Sequence, residues 1–167
     1  MTHQLNFIYN DSDWICPAEY PDLSKATEIA IDLETKDPNI KTKGPGWATF
    51  DGHIVGFAVA ALGQQWYFPI AHDAGGNMDL AITTAWMQDV LKTDATKIFH
   101  NASYDVGWLL VNGFEIRGKI VDTMVAAAII NENRFSFSLN ACAKDYLGEI
   151  KNETFLNEKA KEWGIDP

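Results

Sequence analysis

Residues 28–37 read EIAIDLETKD, an apolar β-type run with Asp32 and Glu34 set directly behind its first residues. On a strand, side chains two positions apart leave from the same face. The two carboxylates therefore share one side of the strand. Like charges held that close repel, and a fold bears the cost where something cationic sits between them. The chain has to fold this run as a strand and bring a cation to its acidic face.

The size allows it. With 167 residues, 47% hydrophobic and 22% charged, the chain suits one globular domain with a proper core. Thirteen Lys and Arg against 23 Asp and Glu give a net charge of -10. That argues against a broad basic face for duplex DNA, since sequence-independent affinity comes from Lys and Arg neutralising phosphates. An acidic protein can still hold one strand end if bound metal ions supply the positive charge. Cys16 and Cys142, the two cysteines, stand in no metal-binding or redox spacing and read as buried or bystander thiols. A reducing, cytoplasmic setting is the expectation. The start, MTHQLNFIYN, has no basic region followed by a long apolar stretch, so no signal peptide is expected. The run IVGFAVAAL at 54–62 is too short to span a bilayer. The expectation is a soluble protein without a membrane partner.

Along the chain, residues 1–27 read as an irregular leader, with room for one short strand, that packs on the domain. TEIAIDLE is a buried strand. The next stretch, TKDPNIKTKGPGWATFDG, has two prolines and three glycines and reads as a loop beside the carboxylates. HIVGFAVAAL and QQWYFPI form two strands joined at Gly63 as a hairpin. Asn77 is the expected N-cap of a helix over MDLAITTAWMQDVLK. TKIFH is a short strand feeding a helix over 102–111, KIVD another strand, and TMVAAAIIN an apolar helix. SLNACAKDYLG is a helix capped by Ser138 and stopped by Gly148. The expected division is a leader over 1–27, a core over 28–150, and a C-terminal segment over 151–167 that could hold one more helix. This order suggests an α/β fold, a mixed sheet covered by helices, with ligands beyond the carboxyl ends of its central strands.

A second polar feature is HNASYD at 100–105. Asn101 sits where strand becomes helix and can cap the first turn. Asp105, four residues on, lies one turn above it on the same helix face. If the two strand ends are neighbours, Asp105 looks across at Asp32 and Glu34. Three carboxylates then converge, and their hard oxygens suit Mg²⁺ or Mn²⁺ rather than zinc. Two such ions about 3.5–4 Å apart stabilise both the attacking and the leaving oxygen in phosphoryl displacement. A D-x-E at a strand end is common by itself, and an N-x-x-x-D that opens a helix is mostly capping. In this order, each after a buried strand, the pair is far more specific.

The blocks IAIDLETKD, YFPIAHD, IFHNASYDVGWLL, VDTMVAAAIIN and SLNACAKDYLG resemble successive blocks of the 3′→5′ proofreading exonuclease domain of the DNA polymerase I family. Those domains are DEDD exonucleases with a ribonuclease H-like fold. The similarity runs from about residue 28 to the C-terminus and looks most like phage-encoded members. The resemblance implies that Asp32 and Glu34 belong to the first motif and Asp105 to the second. Asp32 would bridge two metal ions. Glu34 would bind the tighter ion and help place the attacking water, while Asp105 would hold the second ion, partly through water. Thr35, Asn101 and Tyr104 match positions at the terminal nucleotide. Phe155 resembles an aromatic on the unstacked 3′ bases, where stacking is worth ~1–3 kcal/mol per base, or else is a tail residue packed on the core. Asp122 reads as an N-cap rather than a ligand, and His100 as structural. His53 and His72 receive no role, and the six tryptophans read as core or surface.

The family's third motif, a Tyr or His four residues before an Asp, is missing. Beyond Asp105, Tyr146 is followed at that spacing by Ile150, and Asp145 and Asp166 lack the partner. The expectation is a domain truncated before that motif, part of a larger polymerase supplied in cis or in trans. Its implied function is removal of 5′-mononucleotides from a single-stranded DNA 3′ end. The alternative is a catalytically incomplete module that binds single strands or only packs against a polymerase. A ribonuclease of the same chemistry stays open. A nucleotide-sugar transferase would explain D-x-E but neither HNASYD nor the later blocks.

Overall fold

The computed structural model describes residues 15–73 and 75–149, together with Glu158, Lys161 and Glu162. Its elements run β1 (Glu28–Lys36), α1 (Ile40–Lys43), α2 (Gly46–Thr49), β2 (His53–Ala61), β3 (Gln64–Pro69), α3 (Leu80–Lys92), β4 (Thr96–Phe99), α4 (Ala102–Val111), β5 (Ile120–Asp122), α5 (Thr123–Ile130) and α6 (Leu139–Leu147). The five strands form one mixed sheet in the order β3-β2-β1-β4-β5. β1, β2 and β3 are an antiparallel meander, whereas β4 and β5 join parallel to β1. Leu62 and Gly63 link β2 to β3 with φ of 53° and 74°. Two successive positive φ angles are the geometry that suits the twist of a tight hairpin.

β1 shows why the carboxylates end up where they do. Ile29, Ile31 and Leu33 are 0%, 3% and 6% exposed, while Asp32 and Glu34 on the other face are open to solvent. The buried face meets Phe57 and Val59 of β2, Phe68 of β3, and Met87 and Leu91 of α3. Tyr20, from the described part of the leader, stacks on Phe68 at 5.7 Å and bonds Thr83 through its hydroxyl at 2.7 Å. Lys97 of β4 also points into this core, fully buried. Its ammonium donates to the carbonyl of Thr93, and to those of Ala95 and Arg117, each at 3.0 Å. A buried cation so satisfied fastens the end of α3 to the segment that leads into β5.

Two local expectations change. The loop over 35–52 contains the last two residues of β1 and two helical turns, α1 and α2, because Asp37 gathers the segment by accepting the Gly46 N–H at 2.8 Å. Asn77 does not cap α3. Asp79 does, accepting the Ile82 N–H at 2.9 Å, since it directly precedes the first helical residue. Asn77 instead clasps the backbone of His72 from both sides. No strand precedes β1 among the described residues. The tail is described only at Glu158, Lys161 and Glu162, all helical, so Phe155 and Asp166 lie outside the described residues.

Candidate active site

β4 pairs with β1 only from Glu28 to Ala30, which leaves the later part of β1 without a ladder partner on that side. α4 fills the gap. Asp105 accepts the Leu33 N–H at 3.0 Å, a bond joining residues 72 apart in sequence. Leu33 is flanked by Asp32 and Glu34, so the second acidic motif is docked onto the first. Asp105 is 3% exposed. Burial pushes its carboxyl up to about 7, and the charges of Asp32 and Glu34 push the same way against the Leu33 N–H. Asp105 thus feels the charges of both Asp32 and Glu34.

The start of α4 is not capped as expected. Asn101 adopts a left-handed backbone, φ 69°, and makes no side-chain cap bond. A capping residue needs an extended backbone to aim its oxygen at the helix. Asp122 does that work from the next strand, accepting the N–H groups of Asn101 at 3.2 Å and Ala102 at 2.8 Å. It also caps its own helix, α5, through Met124 and Val125. Burial opposes the charge on Asp122, yet these four N–H donors outweigh it and hold the carboxyl below its usual range. Ser103 donates to Asn101 Oδ1 at 3.1 Å, and the Asn101 side chain is half-buried beside the site.

Thr35 and Tyr104 meet. The Thr35 hydroxyl lies 2.8 Å from the Tyr104 oxygen, and Tyr104 donates onward to Asp37 Oδ2 at 3.0 Å. Burial is the main reason the Tyr104 hydroxyl is pushed above its usual pKa. The sequence reading had no role for Asp37, whose loop looked irregular. Its carboxylate ties Tyr104 to the turn at Gly46, and Trp47 of α2 then packs over Gly107 of α4. His100 uses both ring nitrogens structurally, with Thr123 Oγ1 and the Phe137 carbonyl, each at 2.9 Å. Asp145 is paired with Arg134 at 2.9 Å, away from the triad.

Asp32, Glu34 and Asp105 offer only hard oxygen donors, and their mutual repulsion is what a divalent ion relieves. In donor chemistry they fit such an ion. Their present side-chain positions do not close into a shell, because among the described residues no three His, Cys, Asp or Glu groups are gathered tightly enough to enclose one. The same face carries a cavity of about 470 Å³ lined by Asp32, Ala58, Tyr67, Ile98, His100 and Leu139, among others. Among the described residues no helix is long and apolar enough to cross a membrane.

The DNA-directed DNA polymerase of Pseudomonas phage M6 is 32% identical over 168 residues, covering 96% of this chain and 25% of that protein. The chain thus spans about a quarter of that relative's length. Brucella melitensis NrnC, solved with bound Mg²⁺, superposes with a TM-score of 0.57 at 17% identity, covering 80% of this chain and 59% of that one. Escherichia coli RNase D, an exoribonuclease, gives 0.57 at 16% identity, over 79% and 31%. These likenesses identify the mixed five-stranded sheet as the ribonuclease H-like fold of the DEDD exonucleases. The model of the 3′-5′ exonuclease family matches residues 20–167, and with the two acidic motifs docked on each other the chain belongs to that family.

Proposed function

We propose that this chain is the 3′→5′ proofreading exonuclease part of a larger DNA polymerase, releasing 5′-mononucleotides from the 3′ end of single-stranded DNA. The observation that carries the reading is the Asp105 carboxylate bonded to the Leu33 N–H between Asp32 and Glu34. It sets the buried Asp105 against the strand whose exposed face carries Asp32 and Glu34. Mg²⁺ or Mn²⁺ ions, two in number, would supply activation of the attacking water and stabilisation of the leaving oxygen. Asp32, Glu34 and Asp105 would hold them. Glu34 would orient the water. Thr35, Asn101 and Tyr104 would seat the terminal nucleotide, with Tyr104 locked by Asp37 so that binding costs it little freedom. Phe155 would add stacking on the unpaired bases. The polymerase, in cis or in trans, would deliver the strand end. Two free cysteines, Cys16 and the buried Cys142, suit a reducing cytoplasm.

The test is digestion of 5′-labelled single-stranded DNA, with an RNA of the same sequence beside it, by the chain and its Asp32→Ala variant in Mg²⁺ or Mn²⁺. The expected result is a ladder that shortens from the 3′ end of the DNA and is lost in Asp32→Ala. A ladder on RNA alone would make the substrate class RNA. Retained strand binding without any ladder would make the chain the incomplete module.

A further inference from the structure

Tyr67 opens the block YFPIAHD and lies on the carboxylate face of the sheet. The register places Asp32, Ala58 and Tyr67 on one rung across β1, β2 and β3, with Glu34 and Gly56 paired on the next rung of the same face. Gly56 leaves its place empty, and the phenol fills it. A Cβ on Gly56 would stand 2.1 Å from the Tyr67 oxygen. The ring therefore leans along β2 from the Ala58 rung to the Gly56 rung, and its hydroxyl arrives beside Glu34. The Glu34 charge acts on this hydroxyl, in keeping with that placement.

On its other side the hydroxyl is bonded to His72 Nε2, with the two half-buried rings edge-to-face at 5.8 Å. His72 is itself fixed. Asn77 Oδ1 accepts its N–H at 2.7 Å, and Asn77 Nδ2 donates to its carbonyl at 2.8 Å. A phenol has one proton to give. In the His72 tautomer whose Nε2–H donates into the phenolic oxygen, that proton is left for the Glu34 carboxylate.

We propose that Tyr67, held by His72, is a positioning residue that fixes the Glu34 carboxylate by donating its phenolic proton toward it. This rests on Glu34 belonging to a divalent-ion site. Outer partners that orient a ligand change metal affinity about 10–100-fold when removed.

The experiment is an electron paramagnetic resonance titration of Mn²⁺ into the full 167-residue chain and its Tyr67→Phe, His72→Ala and Asp32→Ala variants, each first checked for folding by thermal denaturation without metal. We expect Asp32→Ala to abolish tight binding. Tyr67→Phe should melt close to the parent yet bind Mn²⁺ about tenfold more weakly, with a changed spectrum for the bound ion. Parent-like Mn²⁺ binding by Tyr67→Phe, with Asp32→Ala still defective, would overturn the positioning role and leave the site standing. Should Tyr67→Phe fail to fold, His72→Ala decides: weakened binding supports the role, and parent-like binding overturns it. Equal binding by the parent and Asp32→Ala would overturn the metal-site reading, and the role of Tyr67 with it.

Discussion

Asp105 carries a charge that the metal-free protein holds badly, and this has a measurable sign. Its folded carboxyl titrates at about 7 against an ordinary 3.8. Between those values the folded chain binds a proton that the unfolded chain has released. Stability without metal therefore falls as pH rises from about 4 to about 7, by on the order of a few kcal/mol, and is flat above that for this group. Urea denaturation across that range checks it, and Asp105→Asn should remove the slope. Divalent-ion binding should run the opposite way and strengthen as the carboxyl ionises. Asp122 is the counterpart, a carboxylate that the fold holds well. Asp122→Ala strips acceptors from the first turns of α4 and α5 together, at an expected cost of roughly 2–3 kcal/mol by urea denaturation. A loss under 1 kcal/mol would show that water replaces it at both helices. Local sequence revealed Asp122 as a cap for α5, but its service to α4 spans 20 residues and leaves no local pattern. For the same reason Asn101 looked like the cap of a helix that another element caps.

Among the elements, the strands and the longer helices were legible because each carries its own period: burial alternates along β1, and α3 begins behind a polar cap. α1 and α2 were not. Each has four residues set among Pro and Gly, and what holds them is a tertiary bond from Asp37 and a ring against a distant helix. Gly107 makes that last contact possible, since a Cβ there would lie 2.5 Å from the Trp47 ring. Gly107→Ala should push α2 away from α4 and disturb the Asp37–Tyr104 bond. We expect a loss of roughly 1–3 kcal/mol, with altered tryptophan fluorescence and, in the digestion assay, a KM for DNA that rises more than kcat falls. Unchanged fluorescence and KM would mean that α2 plays no part in seating the strand end. Lys97 was equally hidden. Nothing in TKIF marks its lysine for the core rather than solvent, because the carbonyls that satisfy it come from the turn before β4 and from Arg117, 20 residues away.

At the scale of the molecule, the acidic triad depends on a sheet that joins a local meander to strands from much later in the chain. The sequence motifs named Asp32, Glu34 and Asp105, but bringing Asp105 to Leu33 required β4 to lie beside β1, a condition that strand order left open and the topology meets. Because the three charges repel, a divalent ion should stabilise the whole chain. At a hundredfold excess over its Kd, Mn²⁺ should add about 2.7 kcal/mol and raise Tm by roughly 5–10 °C. A Tm equally raised in Asp32→Ala would place the ion elsewhere. The bond from Leu33 to Asp105 also gives the molecule a gauge of its own. The Leu33 amide proton points at the Asp105 carboxylate, so its nuclear resonance should move as that group titrates and again if an ion binds there. One peak in a spectrum of the isotopically labelled chain would report, without substrate, how much of the population is poised to work.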